Sequence, residues 1–379
     1  MKIGLALSGG GVRAAVFHLG VLKRVAESPR WQEISFLSTV SGGSLCIALV
    51  FEKAGQCWPS AQQFSETCLP EIRRLLTTFD LEGQYKRLLF TRPWLFFRGR
   101  AWLIAKLIRK HWGITSNVSQ MPDPPRWEIC ATCYETGKNW RFSKKRMGDY
   151  LTNYVIAPEF PLAEAAAASA AVPGVIGPLR LKTSKYHWHK FAKDGSEPTI
   201  EVEPITPHFT LWDGGVYENL GVEAMFKPQQ GLRQEVDFLI ISDASKPLGI
   251  ETRRFQWKLP PYLPPFRLID IATDQVRAFR LRTIIGFFDK NPNTGVVFRM
   301  GNTVTSILKM AKKETPPNWK GRKFLSDAEV QTAARLETTL RMLAEDEYDR
   351  LFQHGYEAAE ATLYAYDHTA FAQFLKRPF

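Results

Sequence analysis

Histidine and cysteine are scarce in this chain of 379 residues, with seven and five copies, and each scarcity excludes something. Cys46, Cys57, Cys68, Cys130 and Cys133 are odd in number and loosely spaced. That pattern excludes the disulfide framework of a small secreted domain. Cys130 and Cys133 form one CxxC with no second pair and no nearby histidine. Two buried thiols at a strand edge fit this better than half a zinc site or a redox pair. No uncharged apolar run approaches the ~18–20 residues of a membrane span. Lys2 is followed by only six residues before the first glycine of the loop, too few for the apolar region of a secretory signal. The expectation is a protein of a reducing, cytoplasmic compartment, at most peripheral on a membrane. Internal repeats are also missing, and low complexity is confined to an alanine-rich run at 165–171.

Acidic residues are in deficit. Fifty Lys and Arg against 38 Asp and Glu leave a formal charge of +12. The excess is concentrated: Pro70 to Trp112 holds ten cations and three acids, more than half of the surplus. Within it, RPWLFFRGRAWLIAKLIRKHWGI (92–114) interleaves cations with bulky apolar groups. At helical spacing Phe97, Ala101, Ile104 and Ile108 share one face, with Lys106 and Lys110 away from it. Trp94, Phe96, Phe97, Arg98, Trp102, Lys106 and Arg109 are therefore candidate contacts to an anionic membrane surface. A helix packed on the core with a solvated outer face is the competing reading. No RNA-binding module pattern accompanies the segment, so no nucleic-acid partner is expected.

The order of elements points to an α/β protein. Ile3 to Leu7 is a short apolar run ending at Ser8 and three glycines, a buried strand; Val12 to Ala26 then has helical spacing. Ile34 to Val40 reads as a second strand and Leu45 to Val50 as a helix buried on every side. Strand, helix, strand, helix implies a mainly parallel sheet covered by helices on both faces. Trp127–Tyr134 and Phe238–Ser242 read as further strands. The size allows one large elaborated domain or two. The expected organisation is one unit over 1–379: a core of about 1–250, a basic aromatic insertion at about 55–125, and a helical C-terminal part from about 266, after a proline-rich stretch. Ser326 and Glu329 form a capping-box pattern, which predicts a helix carrying Leu336, Leu340 and Leu343 on one side.

Three short stretches carry chemistry. Gly9-Gly10-Gly11-Val12-Arg13-Ala14 formally fits a dinucleotide fingerprint. No acid ends the next strand, and no G-K-[ST] follows, so nucleotide binding is set aside. Bare amides at a helix N-terminus can instead hold an anion, including the oxyanion of an ester under attack. In LSTVSGGSLC (37–46), Ser41 stands between a strand and a helix, where a nucleophile elbow places its serine. Gly42 and Gly43 permit the bend; Thr39 stands where that pattern has glycine. A serine needs a base. His354 and His368 fall in predicted helices, and His187 and His189 flank a tryptophan, a weak metal hint at most. In LWDGGVYENLGV (211–222), Asp213 ends an apolar stretch before two glycines. Burial beside a serine would raise its carboxyl from the reference value of about 3.9 toward a useful base.

GGGVR, STVSGGS and DGGVYENLGV, in this order, resemble the patatin-like phospholipase family. ASAAVPGVIGP (168–178), Asp274–Arg282 and Gly355-Tyr356 extend the likeness over most of the chain. The resemblance implies a patatin-like three-layer α/β fold and a Ser–Asp dyad without histidine. It makes Ser41 the nucleophile and Asp213 the base, and the amides of Gly9, Gly10, Gly11 and Val12 the oxyanion hole. Arg13 matches the basic position after the glycines; Ala14 and Thr39 depart from the family's glycines. No metal or cofactor is implied. The implied reaction is hydrolysis of a fatty-acyl ester of a phospholipid or other glycerolipid through an acyl-enzyme. A non-catalytic lipid-binding or signalling protein on the same scaffold is the alternative.

Overall fold

A computed structural model describes residues 1–94, 100–191, 198–249 and 267–366. Strands β1 (Ile3–Leu7), β2 (Ile34–Val40) and β3 (Arg126–Cys133) run parallel at the centre of one sheet. On the other side of β1 lie two more parallel strands, Phe238–Asp243 and then Gly295–Arg299. Beyond β3 the sheet turns antiparallel through β4 (Lys138–Phe142), β5 (Arg146–Asp149) and β6 (Asn153–Ile156), followed by β8 (Trp188–Phe191) and β9 (Pro198–Val202). Strands β7 (Leu179–Lys182) and β10 (His208–Asp213) branch off β3. The central strands are apolar on both faces because helices cover both.

Helix α1 (Gly11–Ala26) follows β1, and α2 (Gly42–Lys53) follows β2. Both are almost wholly buried, being sandwiched between the sheet and outer helices. Helix Glu345–Ala365 packs on α1 at very short range: a Cβ on Gly20 would stand 2.0 Å from the Phe352 carbonyl oxygen, and one on Gly355 2.0 Å from that of Phe17. The helix Arg100–Leu107 buries Ala101 and Ile104 against the core and continues into a wider turn that buries Ile108.

Three expectations are refined or corrected. The C-terminal part carries the expected helices, with one strand among them: Gly295–Arg299 completes the sheet edge. Its Val-Val-Phe run buries only as a strand against Phe238–Asp243. The capped helix begins as expected, with Ser326 accepting the Glu329 amide, but spans only Asp327–Arg335. Leu336, Leu340 and Leu343 lie beyond it in an irregular strap that still packs on the core. The strap's carbonyls serve other partners: Leu336 O accepts Arg13 and Thr339 O accepts the Val12 amide. Third, Cys130 and Cys133 are buried thiols in β3, but that strand is paired on both sides rather than at an edge. Burial pushes them up to about 12 and about 11.

Replacing Gly355 by alanine forces these two helices apart. The expected cost is about 1–3 kcal/mol, read as a lower urea midpoint with an unchanged slope.

Candidate active site

Adjacent parallel strands deliver their C-terminal turns side by side, so the glycine loop after β1 and the serine after β2 meet at one sheet edge. A Cβ on Gly42 would stand 2.2 Å from the Gly11 carbonyl oxygen, and only glycine admits that approach. The Gly43 amide donates to the Ser8 carbonyl at 3.2 Å, tying the two turns together.

Ser41 has φ 50° and ψ −115° and is 3% exposed. A non-glycine residue at positive φ is strained and persists only where its surroundings fix it. Its amide donates to Ser169 Oγ at 2.9 Å. Behind it runs a buried ladder with one consistent direction. Trp127 Nε1 donates to Thr39 Oγ1, Thr39 bonds Ser44, Ser44 bonds Ser169, and Ser169 donates to the Cys130 carbonyl. Indole donates only, and Ser169 spends its hydroxyl hydrogen on Cys130. The two middle bonds must therefore run from Thr39 to Ser44 to Ser169. Thr39 thus has a partner on each side, and a glycine there would leave the Trp127 N–H orphaned.

Asp213 ends β10 beside Ala131 of β3 and is 6% exposed. Its carbonyl accepts the Thr132 hydroxyl at 2.8 Å, and its Oδ1 accepts the Gly215 amide at 2.7 Å. Oδ2 is buried and takes no well-aligned donor among the described residues. The Ser41 hydroxyl is close enough to lower the carboxyl's pKa, though no well-formed hydrogen bond joins the two among the described residues. Desolvation raises the Asp213 carboxyl from its ordinary 3.8 to about 6, opposed by the Gly215 amide and the Ser41 hydroxyl.

Of the four loop amides, Gly9 donates to the Asn219 carbonyl at 3.1 Å and Val12 to the Thr339 carbonyl at 3.0 Å. The amides of Gly10 and Gly11 have no acceptor among the described residues. Arg13 is buried under the loop, donating to the carbonyls of Leu336 and Ala244. Burial lowers its pKa to about 10, against the pull of Asp243. His18 is buried and lowered to about 4 by desolvation, hence neutral. It bonds the Ser8 carbonyl at 2.9 Å and Ser242 Oγ at 2.7 Å. A carbonyl only accepts, so Nε2 carries the proton.

His354 is buried elsewhere: its Nε2 accepts the Gly301 amide, and it packs on Phe17. His187 pairs with Glu201 at the surface. His368 lies outside the described residues. Among the described residues no group of three metal-ligating side chains occurs. Of the membrane candidates, Phe96, Phe97 and Arg98 lie outside the described residues. Trp94 is 60% exposed, Arg109 is exposed, and Lys106 stands 4.0 Å over the half-buried Trp102 ring. No described helix is long and apolar enough to cross a membrane.

Sequence reasoning missed Ser169, Ser44, His18 and the strap at 336–343. Ser169 sat inside the quoted ASAAVPG block, but nothing in its spacing marked the hydroxyl.

Two cavities adjoin Ser41. A broad cleft of about 740 Å³ includes Ser41, Asp213, Gly9 and Gly10. A narrow apolar pocket of about 40 Å³ runs from Ser41 between Ile104, Val172, Ile176 and Leu340.

A family model described as "Patatin-like phospholipase" matches residues 5–226, more than half of the chain. Among solved structures, human GIVD cytosolic phospholipase A2 superposes with a TM-score of 0.51 at 13% identity, covering 97% of this chain and 63% of that one. The same human enzyme with methyl gamma-linolenyl fluorophosphonate and terbium chloride gives 0.54 at 14%, covering 98% and 60%. At these identities the likeness is one of fold. The chain spans about three fifths of the phospholipase chains it matches. No curated protein sequence matches.

A buried carboxyl with a raised pKa costs stability once ionised. The folded state binds more protons than the unfolded one between pH 3.8 and about 6, so stability falls as pH rises through that window. Asp213→Asn removes this cost, each pKa unit being worth about 1.4 kcal/mol. At pH about 8 its thermal midpoint should equal or exceed that of the parent.

Proposed function

The chain belongs to the patatin-like phospholipase family, and on that premise we propose that it hydrolyses fatty-acyl esters of glycerolipids through Ser41 and Asp213. As Ser41 Oγ attacks the ester carbonyl carbon, the Asp213 carboxylate takes the hydroxyl proton. The carbonyl oxygen becomes an oxyanion, held by the amides of Gly10 and Gly11. The amides of Gly9 and Val12 hold the loop in place through Asn219 and the strap. Collapse expels the glycerol oxygen, which receives the proton from Asp213 and leaves an acyl-Ser41 ester. Water then attacks that ester, giving its proton to Asp213, and Ser41 Oγ leaves, recovering the proton as the fatty acid departs. The reaction balances without a metal or cofactor.

The observation that carries this reading is a strained, nearly buried serine facing a carboxyl raised to about 6, beside two amides without acceptors among the described residues. A surface aspartate near 4 would be a poor base; desolvation brings this one toward neutral pH, where a general base works best. The apolar pocket suits the first few methylenes of the acyl chain beside the ester carbonyl, and the broader, more polar cleft the rest of the lipid. In this reading residues 1–379 act as one unit, since the strap and the C-terminal helix both pack on α1 and its loop. The substrate reaches the site from an anionic membrane surface, with exposed Trp94, Lys106 and Arg109 as contacts.

Ser41→Ala and Asp213→Ala should each abolish fatty-acid release from phospholipid vesicles while circular dichroism stays unchanged. Full activity in either folded variant would overturn the dyad. A parent protein that binds vesicles yet releases no fatty acid would favour the non-catalytic alternative.

A further inference from the structure

A second cleft, of about 560 Å³, opens over the antiparallel half of the sheet, and none of its lining residues borders the cleft of Ser41 and Asp213. Seven cationic side chains line it against four acids. The acids are already engaged. Asp149 accepts the Leu151 and Thr152 amides and the Thr136 hydroxyl. Glu128 is buried between Arg126 and Arg141; despite the penalty of burial, those cations, with a smaller contribution from the more distant Arg146, hold it below the usual carboxylate range. Glu223 accepts Tyr217 and Arg280. Glu235, at the rim, stands 3.9 Å from Arg126.

Four cations have no such partner. Among the described residues Lys138, Arg146, Lys227 and Arg233 form no ion pair with any carboxylate. The Arg146 guanidinium is fixed without one, 4.7 Å from the Tyr154 ring and 4.8 Å from that of Phe191. Arg233 Nε is buried and has no acceptor among the described residues. Like charges gathered in a concave, partly desolvated site repel one another unless an anion neutralises them. Cross-strand packing gives no reason to gather four cations outside any ion pair from two hairpins, 138–146 and 227–233, where seven cations face four acids. Guanidinium forks held by aromatic rings match phosphate oxygens in geometry and charge.

We propose that this cleft binds a phosphate-bearing ligand with at least two negative charges. The inference does not depend on the hydrolase reading, because it uses no residue of the Ser41 cleft. The occupant would nonetheless touch the loop that follows the base. Tyr217 lines the cleft, and its amide bonds Thr132 Oγ1, which itself donates to the Asp213 carbonyl.

The test uses the full chain and two sources of the same chemistry. One arm titrates sodium pyrophosphate calorimetrically at low and high salt. The other sediments the protein with vesicles of phosphatidate in phosphatidylcholine, against phosphatidylcholine alone. Arg146→Gln combined with Lys138→Glu should weaken binding at least about tenfold, while Ser41→Ala binds as the parent does. Exposed Lys227→Glu, which disturbs no packing, should weaken it in the same direction, and affinity should fall with salt. Pyrophosphate binding lost in the variants assigns a soluble phosphate ester. Phosphatidate-dependent sedimentation alone, lost in the variants, assigns a lipid headgroup. No binding in either arm, or equal binding by parent and variants, overturns the proposal.

Discussion

The site depends on one contact between backbones: Gly42 pressed against the Gly11 carbonyl, where no side chain fits. Parallel pairing of β1 and β2 brings the two turns to the same edge, and this contact brings them into register. The cost is a serine in a conformation that strains any residue with a Cβ, of order 1–3 kcal/mol. Hydrogen bonds on both sides of Ser41 offset it. Its amide is held by Ser169, its carbonyl accepts the Leu45 amide at 3.0 Å, and Gly43 is held by Ser8. Neutral His18 fixes the same Ser8 carbonyl from below. Loosening either turn would separate the hydroxyl from the loop amides before it unfolded the sheet.

Charge is arranged so that burial, unopposed by any cation, raises the Asp213 carboxyl. No cation contributes to the Asp213 shift; burial dominates it. Arg13, the cation nearest in sequence to the loop, is directed toward Asp243 and the carbonyls of Leu336 and Ala244. Asp243 is further satisfied by Arg277 at 2.8 Å. Had a guanidinium reached Asp213 instead, its carboxyl would have dropped below its reference range and lost its use as a base. The strap at 336–343 joins both arrangements, since it accepts Arg13 and Val12 and lines the apolar pocket through Leu340.

The features written in consecutive residues were legible: the glycine loop, the serine bend, Asp213 before two glycines, and the first four elements. Features that require distant residues to meet were not. The hydroxyl ladder joins Thr39, Ser44 and Ser169, and only the fold shows that the β-branched residue at 39 has work to do. The spacing of Leu336, Leu340 and Leu343 imitates a helix, but the backbone between them is claimed by Arg13 and Val12. Gly295–Arg299 is too short to distinguish a strand from a helix by periodicity. The concentration of charge at 70–112 drew attention to one segment, whereas the cations of the second cleft are spread over residues 126–233 and meet only in the fold.

On the proposed reading, Asp213 ionisation controls Ser41. The most direct measurement is the rate at which a fluorophosphonate modifies Ser41, followed by mass mapping from about pH 4 to 9 in the parent and in Asp213→Asn. The account predicts modification at Ser41 alone, a rate that rises through one ionisation at about 6 to a plateau, and a plateau about 10²–10⁴-fold lower in the variant. A label on another residue, or a pH profile that the substitution leaves unchanged, would contradict it.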